Sequence, residues 1–512
     1  MKKIQKSQIK IGAIIAYGSI AINILLGLIY TPWMIDKIGK SDYGIYTLAN
    51  SVITLFLFDF GLSAATSKFV SKFRVDGDSL GLKNFLTAIY QLYGIIDILI
   101  FVILAILFFN IESIYSNLSV TEIQKLKVVF GIAGLYSLIS FPCLTFNGIL
   151  TAYEKIIILK LTDLGYRVGS VTFTIVALFC GCGLYSIVII NVLFGLFAIF
   201  IKYVVVKKSI QLKINFKKKQ VALYREVFSF SVWSTVSSLA QRLVFNITPT
   251  IIGIVTIAAT EAIALFGVIS TIEGYFYTIS TVINGMFIAK ITRICNKENY
   301  KDELTDLSIK VGKFQYFVNG LLIVGFVLVG KDFMLLWMGI DFMPAYYGIL
   351  FVVTPGLFFN SLQIANTALI VQNKIKYQAI MNVFVGVCNV FTSFYLSYKF
   401  GAVGASASIC VAYFMRVILN FAIIKYKLEF DLKRYLKKCY VKMSIPLLTA
   451  LIICLPVIFF EQYTWISLLI KSIIISIVYT LIAFFVGLDR TERNTIIIKL
   501  RIIKQIFRRD NT

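Results

Sequence analysis

Apolar runs of about 20 residues, the length that crosses a hydrocarbon core of about 30 Å, recur from Ile11 to Gly487 with only short polar breaks. Inside lipid every backbone N–H and C=O must be satisfied within the protein, so runs of this kind commit the chain to helices. Composition agrees: 59% of the 512 residues are apolar and only 15% are charged, with a mean hydropathy of +0.86. No soluble domain fits between the runs, which excludes a soluble enzyme. The first run follows Lys2, Lys3, Lys6 and Lys10 as a signal sequence would, but its length and the lack of a small-residue cleavage site predict a retained helix.

Charged breaks predict fourteen spans, near 11–35, 43–66, 85–109, 128–150, 156–180, 184–204, 229–257, 262–289, 314–330, 344–369, 377–398, 403–424, 443–460 and 466–487. An even number puts both ends on one side. With that side cytoplasmic, the inner segments hold 40 Lys/Arg and the outer loops seven, so the positive-inside rule predicts cytoplasmic termini. The formal net charge of +25 then belongs to the inner segments, where topology and anionic membrane lipid account for it without nucleic acid. In the tail, Ile496, Leu500, Ile503 and Phe507 share one helical face opposite Arg501, Lys504 and Arg508, a pattern for an interfacial helix or a solvated tail.

The expected architecture is an all-α integral membrane fold of about 14 transmembrane helices, with two pseudo-repeated six-helix bundles plus two C-terminal helices. Its parts are an N-terminal bundle 1–204, a basic cytoplasmic linker 205–228, a second bundle 229–424, two further helices 425–487, and a basic cytoplasmic tail 488–512. An offset of 219 residues pairs Asp42 with Glu261, Asn147 with Asn366, Leu150 with Leu369 and Lys155 with Lys374. Pro32 and Pro249, at nearly the same offset, are expected to close the first helix of each half. Parallel repeats of this kind place a substrate between them near mid-bilayer.

The chain has no histidine and eight scattered cysteines, which leaves no Cys/His metal constellation and no cofactor motif. GFVLVGKD at Gly325–Asp332 is one residue short of a phosphate-binding loop and lies at the end of a span rather than between a strand and a helix. Outer loops are too short to carry a catalytic platform. What remains is a set of ionisable residues within spans: Asp59, Asp97, Asp163, Arg167, Arg242, Glu273 and Arg416. A charge at the bilayer centre costs about 2.5–3.5 kcal/mol on insertion scales, so each is expected to face a partner or a wet cavity. Asp163 and Arg167, four residues apart, can pair with each other.

Ser234, Ser238, Arg242 and Asn246 recur every four residues and form a polar stripe with Gln241 beside it. Asn23 is the repeat counterpart of Arg242. Either this stripe faces substrate, or Arg242 is locked in an ion pair with Glu273. Glu273, Tyr277, Thr281 and Asn284 line the next span. Amides at Asn360, Gln363, Asn366, Asn382 and Asn389 suit sugar hydroxyls and interhelical hydrogen bonds equally. Without histidine, a proton or sodium ion would be coupled through a carboxylate, Asp97 or Glu273.

The opening span ends in Thr31-Pro32, followed by Asp42-Tyr43-Gly44-Ile45-Tyr46 and then Asp59-Phe60-Gly61-Leu62 before a basic loop. This resembles the Wzx-type O-antigen and capsular polysaccharide flippases of the multidrug/oligosaccharidyl-lipid/polysaccharide superfamily. The resemblance implies export of undecaprenyl-pyrophosphate-linked oligosaccharide across the bacterial inner membrane. A polysaccharide polymerase and other assembly proteins are then the implied partners. Arg242, Arg167 and Arg416 would supply the basic cavity of that family, and a guanidinium suits it because it holds phosphate oxygens bidentately without losing charge. Four intramembrane acids against three arginines keep a cation or drug antiporter of the same superfamily open as an alternative, beside a peptidoglycan-precursor flippase.

Overall fold

The computed structural model describes residues 2–56, 60–209, 221–281, 287–460, 463–490 and 492–494. Among these the regular structure is all helical, and eleven helices are long and apolar enough to cross a membrane. The protein is thus an all-α, multi-pass membrane protein. One of the eleven, Ile375–Leu428, holds Gly401 at φ 56°, ψ −135°, which joins two helices end to end. The sequence expectation for Pro32 is corrected: it lies inside a helix that runs on to Ile38. A proline forfeits a single ladder bond, which a helix packed among others tolerates.

The chain forms two compact units, Met1–Thr271 with Ile375–Ala412, and Ile272–Lys374 with Tyr413–Thr512. The 219-residue repeat is visible in local geometry. Glu154 and Asn373 are both left-handed, at φ 58° and 56°, and each precedes a lysine whose N–H closes the same turn. Lys155 donates to the Leu150 carbonyl at 2.9 Å and Lys374 to the Leu369 carbonyl at 2.7 Å. The paired asparagines also work alike, since Asn147 accepts from Lys202 at 3.1 Å and Asn366 accepts from Asn420 at 2.9 Å.

In the first unit one carboxylate gathers three segments. Glu122 closes a capping box with Ser119 at the start of the helix Val120–Cys143, which satisfies otherwise orphaned N–H groups. Its Oε1 also accepts from the hydroxyls of Ser41 and Thr260, both at 2.7 Å. Lys125 bonds Asp42, and Lys40 reaches Glu261 at 3.4 Å. Asn117 donates to the Ile254 carbonyl at 2.6 Å.

In the second unit Lys313 is only 4% exposed. It is held by Asp489 at 3.2 Å and Glu492 at 2.9 Å, just beyond the last span. Lys471 likewise bonds Asp332 at 2.7 Å. That pair explains the aspartate that ends the near-miss phosphate loop, which is wholly helical here. Both ammonium groups would be prohibitively costly in low dielectric without these partners.

Candidate functional site

The helix Lys40–Phe56 has two faces. Ile45, Leu48, Ala49, Val52 and Ile53 are buried. Tyr46, Thr47, Asn50, Ser51 and Thr54 turn instead to a cleft of about 250 Å³, which the buried Tyr43 also lines. Its other wall comes from the break between the helices Val221–Phe245 and Thr248–Val255 and from the helix Ala259–Thr271 portion within the same unit, which contribute Phe245, Asn246, Pro249, Phe266, Ser270 and Thr271. Gly267 permits the approach, because a Cβ there would stand 2.9 Å from Thr47 Oγ1.

The hydroxyls of Ser51, Ser270 and Thr271 donate to carbonyls of their own helices. Their protons are therefore committed while oxygen lone pairs remain to accept. Acceptor oxygens, an asparagine amide and aromatic rings suit a polyhydroxylated ligand. The described residues that line the cleft include no carboxylate.

Arg242 lies one turn before Asn246, and the Asn246 N–H donates to its carbonyl at 2.8 Å. Arg242 Nη1 donates to the Thr54 carbonyl at 2.7 Å. Thr54 itself lines the cleft. The guanidinium thus ties the two helices together and, through Thr54, stands at the edge of the cleft. Of the predicted stripe, Asn246 lines the cleft, whereas Ser238 and Gln241 are exposed. Gln241 reaches Ser237 at 3.5 Å, and the same Ser237 hydroxyl takes the Asn382 amide at 2.8 Å. Asn23 is half-buried on the first helix. Asp59 and Asn284 and the side chain of Ser234 lie outside the described residues, as does the amphipathic tail.

The expected Asp163 and Arg167 pair does not hold Asp163. Its carboxylate bonds Lys202 from the neighbouring helix at 2.8 Å, because a lysine brought in by packing reaches it from across the helix interface. Arg167 sits half-buried within electrostatic reach of Tyr30 and Tyr166. Asp97 is half-buried on the helix Ser79–Phe109, and its buried Oδ1 has no hydrogen-bond partner among the described residues.

A second cluster belongs to the other unit. Arg416 is 7% exposed, its guanidinium carbon stacks 4.0 Å from the centre of the Phe359 ring, and its buried Nε makes no hydrogen bond among the described residues. Tyr277 and Tyr413 lie within electrostatic reach of both Arg416 and Glu273. The structure therefore brings Arg242 and Asn246 together in one unit, and Arg416 and Glu273 in the other.

The amides are mostly structural. Asn360 bonds Asn319, Asn366 accepts from Asn420, and Asn389 donates to the Val244 carbonyl while accepting from Ser408. Sequence reasoning missed the polar row on Lys40–Phe56. Its signal was present in Tyr43, Thr47, Asn50 and Thr54, spaced three and four apart within an otherwise apolar span.

A family model described as "Polysaccharide biosynthesis protein" matches residues 10–291. Among solved structures, a lipid II flippase MurJ in an inward closed conformation aligns with a TM-score of 0.71 at 14% identity, covering 93% of this chain and 98% of that one. An inward-facing multidrug resistance MATE family transporter of the MOP superfamily gives 0.66 at 12% identity, covering 81% and 98%. A MOP superfamily transporter from Pyrococcus furiosus gives 0.53 at 13% identity, covering 83% and 95%. At these identities the likeness is one of fold. No curated protein sequence matches the chain.

Proposed function

The chain belongs to the polysaccharide biosynthesis protein family, and we propose that within it this protein is a flippase for undecaprenyl-pyrophosphate-linked oligosaccharide units, working in the bacterial cytoplasmic membrane with both termini inside. The observation that carries this reading is the placement of Arg242 at the edge of a cleft lined with hydroxyls, Asn246 and aromatic rings. The guanidinium would hold the pyrophosphate, the cleft the adjoining sugar, and the polyprenyl tail would stay in lipid. Arg416 and Arg167 would serve the anion at other stages of alternating access. A cation antiporter draws less support, because the described residues that line the cleft supply no carboxylate.

Export should be lost in Arg242→Ala while membrane abundance is kept, with partial recovery in Arg242→Lys, which keeps charge but not the bidentate fork. Surface-polysaccharide output measured beside protein level tests this. Loss of abundance together with export would make Arg242 a structural tie to Thr54 alone. Rescue of a strain lacking its peptidoglycan-precursor flippase, without any effect on surface polymer, would move the substrate to that precursor.

Coupling to a proton or sodium gradient would run through Asp97, whose buried Oδ1 has no partner among the described residues, or through Glu273. In vesicles, export should respond to an imposed gradient and lose that response in the Asp97→Asn, Glu273→Gln double variant. Gradient-independent transport by the unaltered protein would remove the coupling role.

A further inference from the structure

A cavity of about 680 Å³ in the second unit lies where the last span ends, well apart in sequence from the cleft residues. Its walls include Phe314, Phe317, Phe484 and Leu488, and its rim carries Lys310 and Lys438 beside three carboxylates. Those carboxylates are already engaged. Asp489 and Glu492 hold Lys313, Asp489 also holds Lys442, and Asp306 bonds Arg434 at 2.6 Å. Lys310 and Lys438 are exposed and form no ion pair among the described residues.

We propose that this cavity is a binding site for one anionic phospholipid of the surrounding bilayer, its head-group phosphate on Lys310 and Lys438 and an acyl chain against the phenylalanines. The reasoning is by charge complementarity. A soluble anion would use the lysines and leave the aromatic wall idle, while a bare hydrocarbon would use the wall and leave two cations uncompensated. A zwitterionic phospholipid brings an ammonium group that needs a carboxylate, and every rim carboxylate already has a basic partner. Basic pockets between membrane helices recognise anionic head groups on this principle. The site is independent of the export reading, since it shares no residue with the cleft.

The test is native mass spectrometry of the purified full-length protein, offered phosphatidylglycerol, phosphatidylethanolamine and undecaprenyl phosphate in turn. One phosphatidylglycerol should be retained about tenfold over phosphatidylethanolamine. The preference should vanish in Lys310→Ala/Lys438→Ala and persist in Lys310→Arg/Lys438→Arg. It should also persist in Lys433→Ala/Lys437→Ala, which removes the same charge from exposed neighbours. Thr480→Trp, which fills the cavity from its wall without touching a lysine, should abolish retention and guards against a folding defect in the alanine pair. Equal loss in both alanine pairs, or undiminished retention in Lys310→Ala/Lys438→Ala, overturns the proposal. So does undecaprenyl phosphate displacing phosphatidylglycerol with the same lysine dependence, because the pocket would then belong to a carrier lipid.

Discussion

Gly44 packs directly beneath the carbonyl of Thr260, so closely that a Cβ at Gly44 would overlap that oxygen. The obstacle is backbone rather than a movable side chain. This contact lets Ser41 and Thr260 approach to 3.3 Å and share Glu122.

Gly44→Ala should therefore push the helix Lys40–Phe56 away from Ala259–Thr281 and break the Glu122 junction. Overpacking of this kind costs about 1–3 kcal/mol. A lowered melting midpoint in detergent, with weaker export, is the expected result. An unchanged midpoint would mean the two helices part without cost.

The same junction lies on the side that sequence charge places outside. If alternating access opens it, joining Ser41→Cys to Thr260→Cys by a disulfide should stop export, and a reductant should restore it. Full export by the crosslinked protein, with crosslinking verified on a gel, would show that this junction stays closed throughout transport.

Asp489, just past the last span, is held below the usual carboxylate range by Lys442 first and then Lys313. A depressed folded-state pKa contributes stability above the ordinary aspartate range and loses it as pH falls through the lowered value. The stability gap between unaltered protein and Asp489→Asn should thus be present at pH 7 and narrow as pH falls below about 4. The half-exposed Asp489 alone should matter modestly. Removing Glu492 as well strands buried Lys313, so Asp489→Asn/Glu492→Gln should lose about 3–5 kcal/mol. Denaturation followed across pH distinguishes the cases, and a gap that widens in acid would contradict the assignment.

Orientation is testable with native residues. All eight cysteines are free, and Cys180 and Cys182 are exposed in a turn that the predicted topology puts outside. An impermeant thiol reagent should label intact cells, and Cys180→Ser/Cys182→Ser should abolish the signal. A cysteine placed at exposed Lys437 in that background should stay unlabelled until cells are opened. Labelling at Lys437→Cys in intact cells would invert the topology.

The 219-residue repeat was legible because it rests on local chemistry. Glu154 and Asn373 take the same left-handed turn, and the lysines after them close it alike. The partner of Asp163 was not legible, since Arg167 on its own helix and Lys202 on the next are both within a side chain's reach and only packing selects between them. The polar row of Lys40–Phe56 was written in the sequence but without a facing wall to give it meaning.

Sequence alone determined that this chain is helical, crosses a membrane many times and resembles the polysaccharide flippases. Lipid imposes those outcomes locally, through the length of each apolar run and the need to satisfy each backbone group within its own helix. Only tertiary structure decided which faces meet. Residues packed in a membrane protein's core and residues facing lipid are both apolar, so hydropathy does not fix the rotation of a helix about its axis. That rotation is what sets Asn246 opposite the row from Tyr43 to Thr54, gives Arg242 the carbonyl of Thr54, and stacks Arg416 on Phe359.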